Sequence, residues 1–224
     1  MKVDTLDINM TACGPSKGVE NTWIAFAIDW GERLLLVALY VLLTHRIVVN
    51  YLEQGSIPNL IFVFSEGIAV FLILIRRPSE DVSRHPGDWV LAFGGTTLAM
   101  LVYPNMERAL LPPVVAGSIM FIGMLVQISA KLILGRSWGC VPANRGVKFT
   151  GPYRFVRHPV YAGYLLTHIA FLLMNPTAWN LIIYVLCYIF QISRLLAEER
   201  LLCKDPSYAE YMTTVRCRLI PGVF

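Results

Sequence analysis

Two stretches of the chain repeat chemically capable side chains at helical spacing. In "GPYRFVRHPVYAGY" (residues 151–164) a Gly-Pro turn leads to His158-Pro159, a pair that starts a helix. Tyr161, Tyr164 and His168 then recur at i, i+3 and i+7. Further on, Gln191, Arg194 and Glu198 follow the same interval, and Glu199 comes directly after. Such intervals share one helix face. Set against each other, the two stripes enclose an amide, a carboxylate pair, guanidinium groups and aromatic walls. That pocket suits a zwitterion carrying a flat ring. Plainer readings exist for each stripe. Arginines and tyrosines are ordinary anchors at a membrane interface. Arg194 and Glu198 at i, i+4 make a helix pair worth about a few tenths of a kcal/mol if exposed.

The elements that must position these residues lie in a greasy chain. Apolar residues make up 56% of the 224 and charged residues only 15%, well below the share in soluble domains. Several apolar runs reach the roughly 17–25 residues that cross a bilayer as a helix. An all-α integral membrane bundle is expected. A formal charge of +4 is too small to imply nucleic acid. The first 27 residues read as a polar leader unlike a cleaved signal peptide. The five cysteines show no metal-ligand spacing, and their odd number reads as reduced thiols without a disulfide frame.

Six spans are expected, near residues 28–49, 57–75, 89–103, 113–134, 159–174 and 179–197. The count falls to five if the glycine-containing third segment is re-entrant. Residues 28–112 then form an N-terminal helical part and residues 113–224 the part that carries the stripes, within one membrane domain. Basic residues crowd alternate connectors: Arg76, Arg77 and Arg84 in one, Arg136, Arg145, Lys148, Arg154 and Arg157 in another, and Arg200, Lys204, Arg216 and Arg218 in the tail. Positive-inside bias places these connectors, both termini and the candidate site on the cytoplasmic face.

"TGPYRFVRHPVYAGY", followed by "RLLAEERLL" and "YAEYMTTVRCRLIP", resembles the isoprenylcysteine carboxyl methyltransferase and phospholipid methyltransferase superfamily. RHPxYxG, a Glu pair ending the next helix and a Tyr-rich tail stand there in this order, and "LILGRSW" (132–138) is similar to that group as well. The likeness covers about residues 113–224. It implies S-adenosylmethionine as methyl donor, with S-adenosylhomocysteine as product, bound on the cytoplasmic side between the last two helices and a helical tail. Tyr153, Arg157, His158, Pro159, Tyr161 and Gly163 match the first motif, Glu198 and Glu199 the acidic pair, and Tyr208, Tyr211 and Arg218 the tail. The resemblance thus makes Tyr153, His158, Pro159, Tyr161, Gly163, Glu198, Glu199 and Tyr211 the expected cofactor-binding residues. Arg157, Arg194 and Glu198 are the expected catalytic ones.

The acceptor is expected to be lipophilic: a carboxylate as in isoprenylcysteine, or a thiol or amine. Glu66, beside Ser65 in the second span, is a candidate because a carboxylate at membrane depth is costly; an interhelical hydrogen bond accounts for it equally well. Gln127 and Lys131 sit at i, i+4, with Lys131 expected to snorkel. A second Arg-His-Pro triplet at 84–86 lacks the following Tyr-x-Gly and reads as a cytoplasmic loop, a lid over the cofactor. The competing class is a transporter or membrane scaffold that uses the same polar faces. Against it stand the lack of an internal repeat and the clustering of polar groups at one end.

Overall fold

The computed structural model describes residues 22–54, 67–77, 82–83, 85–105 and 107–224. Glu66, the leader as far as residue 21 and the start of the second expected span lie outside the described residues. Helix α1 runs Thr22–Gln54, and the described part of α2 is 67–75. Then follow α3 (Pro86–Leu98), α4 (Pro113–Leu134), α5 (Pro159–Met174), α6 (Ala178–Leu202) and α7 (Pro206–Thr214), the helix expected in the tail. Among the described residues the extended pairing is one isolated antiparallel bridge, Val82 with Ala143. The fold is all-α.

Prolines set the starts. Pro86, Pro113, Pro159 and Pro206 each stand in the first turn of a helix, where a missing N–H has no partner to lose. Thr177 and Asp205 cap α6 and α7 by accepting Asn180 N–H and Ser207 N–H. α4 ends at Gly135, whose φ of 49° favours glycine.

Packing is by small residues. α4 lies along α5, where a Cβ on Gly163 would come 2.6 Å from the Gly123 carbonyl oxygen. α3 lies along α6, with Gly94 against the Phe190 ring and Gly95 against Gln191. Close backbone approach of this kind replaces the hydrophobic drive between helices in lipid. At the end remote from the tail, two fully buried asparagines fasten the α5–α6 turn to the segment before α4. Asn180 Oδ1 accepts Tyr103 N–H, its Nδ2 donates to Tyr103 O, and Asn175 Oδ1 accepts Asn105 N–H.

The outer faces are apolar. Val114, Phe121 and Ile122 on α4 and Ile182, Val185 and Ile189 on α6 are exposed. In water such a surface would be a large unpaired patch; in hydrocarbon it is solvated. Residues Pro113–Ser137 and Ala178–Leu202 are long and apolar enough to cross a membrane, and Pro159–Met174 is apolar but shorter.

Candidate active site

The "GPYRFVRHP" segment turns sharply because Gly151 adopts φ 60° and leads a 3-10 turn, Gly151–Arg154, that points Tyr153 inward. Tyr211 Oη on α7 donates to Tyr153 O at 2.5 Å, and Tyr153 Oη donates to Ala130 O on α4 at 3.5 Å. The tail then straps the helix entry. Arg157 N–H donates to Cys217 O and His158 N–H to Arg218 O, both at 2.9 Å. The His-Pro pair thus starts α5 with its backbone fixed by the last ten residues of the chain.

Two carboxylates at the end of α6 face different ways. Glu199 is buried and receives Arg157 Nε at 2.9 Å, Arg218 Nε at 2.8 Å and His158 Nε2 at 3.1 Å. A carboxylate held by two guanidinium groups is ionised and accepts only, so His158 carries its proton on Nε2. Glu198 turns the other way. Its Oε1 accepts the Tyr161 hydroxyl at 2.5 Å and meets Arg194 Nε at 3.3 Å, while its Oε2 faces His158 Nδ1 at 3.9 Å. The Arg194 guanidinium also lies over the Tyr161 ring, 5.3 Å from its centroid.

A cavity of about 510 Å³ opens beside this cluster. Tyr153, Arg157, His158, Tyr161, Arg194, Glu198 and Tyr211 line it. So do the rest of both stripes, Tyr164, His168 and Gln191, together with Gln127 and Tyr208. The facing of the two stripes is therefore met, and neither stripe is an exposed interface belt. Three expected site residues lie off the cavity. Glu199 is enclosed by Arg157, Arg218 and His158, Pro159 is the first residue of α5, and Gly163 is pressed against α4. Burial raises the phenol pKa of Tyr153 and Tyr208, and it raises that of Tyr211 to about 12. All three remain neutral aromatic walls.

Lys131 does not snorkel. It is fully buried, with its ammonium 5.4 Å from the centre of the Tyr164 ring, because α5 covers that face of α4. Of the loop expected as a lid, residues 78–81 and 84 lie outside the described residues, and His85 does not line the cavity. It caps α3 by accepting Gly87 N–H on Nδ1, and it stands away from the cavity.

Two parts of the site escaped the sequence reading. One wall comes from the α4–α5 connector, with Trp138, Gly139, Cys140 and Arg145, and another from Tyr40 on α1 and Thr96 on α3. Behind the connector lies a buried ion cluster: Asp29, Glu32 and Arg33 on α1, Arg76 after α2, and Arg145. The signal for it was present. Three charges at i, i+3 and i+4 at the head of an apolar helix share one face.

Comparison with known proteins bears on the same region. Residues 114–204 match the isoprenylcysteine carboxyl methyltransferase (ICMT) family model. Curated protein sequences give no match. Among solved structures, the eukaryotic intramembrane Ras methyltransferase ICMT is similar, with a TM-score of 0.50 and 18% sequence identity over 93% of this chain and 88% of that one. At that identity the likeness speaks for the fold. Over residues 114–204 the chain is thus similar to the isoprenylcysteine carboxyl methyltransferase family, and it shares the helical fold of the eukaryotic ICMT structure.

Proposed function

We propose that the protein is an S-adenosylmethionine-dependent methyltransferase acting on a lipophilic acceptor at the cytoplasmic face of a membrane. One observation carries the reading: a cavity in and beside the family-matched segment brings a carboxylate, three guanidinium groups and a set of tyrosine rings together. The residues fit a zwitterion with a flat heterocycle. Glu198 keeps 19% of its side chain exposed, toward a cavity it lines. Tyr208 Oη, Gln127 Oε1 and Gln191 Oε1 are buried without a hydrogen-bond partner among the described residues, and all three residues line the same space. Unpaired buried polar atoms are costly unless a ligand or water meets them.

On this reading Glu198 holds the ammonium of the donor, Arg194 or Arg157 its carboxylate, and the Tyr153, Tyr208 and Tyr211 rings its adenine. When bound, S-adenosylmethionine supplies a methyl group already activated by the sulfonium charge. The protein's own task is alignment and exclusion of water, and proximity supplies most of the acceleration. A carboxylate acceptor needs only a cation to hold it, and Arg194 is placed for that. A thiol or amine acceptor must lose a proton. His158 serves that step at Nδ1, since its Nε2–H is committed to Glu199.

The test is calorimetric titration of detergent-purified protein with S-adenosylhomocysteine. Saturable binding is expected, and no heat or thermal shift at millimolar ligand would overturn the reading. Labelled methyl transfer into a total lipid and small-molecule extract, followed by mass spectrometry, then identifies the acceptor class.

A further inference from the structure

We propose that Glu32 and Arg145, members of the buried ion cluster, are positioning residues that hold the 138–145 wall of the cavity in place. Two carboxylates and three guanidinium groups meet there. Arg76 reaches Asp29 Oδ1 at 2.7 Å and Glu32 Oε1 at 2.8 Å, and Arg33 Nε reaches Asp29 Oδ2 at 2.7 Å. Arg145 Nη2 approaches Asp29 and Glu32 at 3.4 and 3.5 Å. Joining helices does not require this, because apolar side chains of similar volume do so as well or better.

What apolar side chains cannot do is satisfy a buried loop. Cys140 and Val141 lie outside any helix and are nearly inaccessible, so their N–H groups need acceptors. Glu32 Oε1 accepts both, each at 2.9 Å. Arg145 fills the space beside Gly139 so closely that a Cβ there would collide with its guanidinium. Gly139 O in turn accepts Arg194 Nη2 at 3.4 Å, and Arg194 pairs with Glu198. A continuous set of contacts therefore runs from α1 through the connector backbone to the carboxylate and guanidinium in the cavity. This gives the N-terminal helices, which lie outside the family-matched segment, a defined task at the site.

Arg33 supplies the control. It bonds Asp29, Leu74 O and Arg76 O, and among the described residues it makes no bond to the connector. Its loss removes a buried charge without releasing the wall. The ligand arm of the experiment rests on the proposed function; the exchange arm does not. Glu32→Met with Arg145→Met removes one charge of each sign. In that variant, amide exchange of 138–145 is expected to be at least tenfold faster, with α4 and α6 still protected, and S-adenosylhomocysteine affinity at least fivefold weaker. Arg33→Gln should lower the melting temperature yet leave both readings within twofold of the parent. Unchanged exchange in the double variant, or equal effects in Arg33→Gln, would overturn the proposal. Where the double variant does not fold, Glu32→Gln against Arg33→Gln decides. At least threefold faster exchange of 138–145 in Glu32→Gln alone supports it, and equal exchange in both overturns it. Failure of the parent to bind S-adenosylhomocysteine removes only the functional reading, and the exchange arm still stands.

Discussion

Glu198 and Glu199 are adjacent on α6, yet a rotation of about 100° per helical residue sends them to different neighbours. Glu199 is closed off by Arg157, His158 and Arg218, whereas Glu198 opens on the cavity. The two glutamines should therefore differ in kind. Glu198→Gln keeps size and most packing but loses a charge-assisted bond of about 1.5–3 kcal/mol, so at least tenfold weaker S-adenosylhomocysteine binding is expected at a near-parental melting temperature. Glu199→Gln leaves the buried Arg157 and the half-buried Arg218 guanidinium groups facing a neutral amide, and breaking a buried ion pair costs about 3–5 kcal/mol. Its signature should be a large fall in melting temperature, with affinity reduced less in the protein that stays folded. Titration and thermal unfolding on matched preparations separate the two, and equal profiles would refute the division. Composition and spacing could name this pair of carboxylates. They could not tell which one faced inward, because that depends on Arg218 folding back from the tail.

At the scale of elements, the α4–α5 contact decides how the Tyr161–Tyr164–His168 stripe is presented. Gly163 stands between Tyr161 and Tyr164, and a methyl group there would meet the Gly123 carbonyl and the Gln127 backbone N–H, which cannot move aside. At Gly94 the obstacle is the Phe190 ring, the end of a side chain with rotamers to spare. Gly163→Ala should thus cost about 1–3 kcal/mol and Gly94→Ala clearly less. Thermal unfolding in one detergent checks the order, and a reversal would show that α4 and α5 are not packed this closely. The bounds of α4 and α5 were legible to the residue, because Pro113 and Pro159 mark their starts and Gly135 and Asn175-Pro176 their ends. The starts of α1 and α3 were not. Nor was the pairing of Asp29, Glu32 and Arg33 legible, because their partners, Arg76, Arg145 and the Cys140 N–H, lie 43 to 116 residues away. Pairings so distant carry no local pattern. The Cys140 thiol illustrates the outcome: burial pushes its pKa up, and it sits as an inert wall between Thr96 and Ala92.

For the whole molecule, the side on which the cavity opens depends on how many helices cross the membrane. Between the exposed Arg108 and the exposed Glu210 lie α4, α5 and α6. α4 and α6 are long enough to cross without help. α5 has 16 residues, about 24 Å at 1.5 Å per residue, against a hydrocarbon core of about 30 Å. The Asn175 and Asn180 bonds to residues 103–105 continue the packed structure beyond its end, so the backbone groups there are satisfied within the protein. Three crossings are therefore expected, and three is odd. On the positive-inside expectation, the basic connectors and tail give the Glu210 end a cytoplasmic side. With Cys13 and Cys217 changed to serine, Arg108→Cys should react with a membrane-impermeant maleimide in intact cells. Glu210→Cys should react only after permeabilisation. Labelling of both from the same side would mean that α5 turns back within the membrane, and labelling of both in intact cells would overturn the cytoplasmic side expected for the Glu210 end.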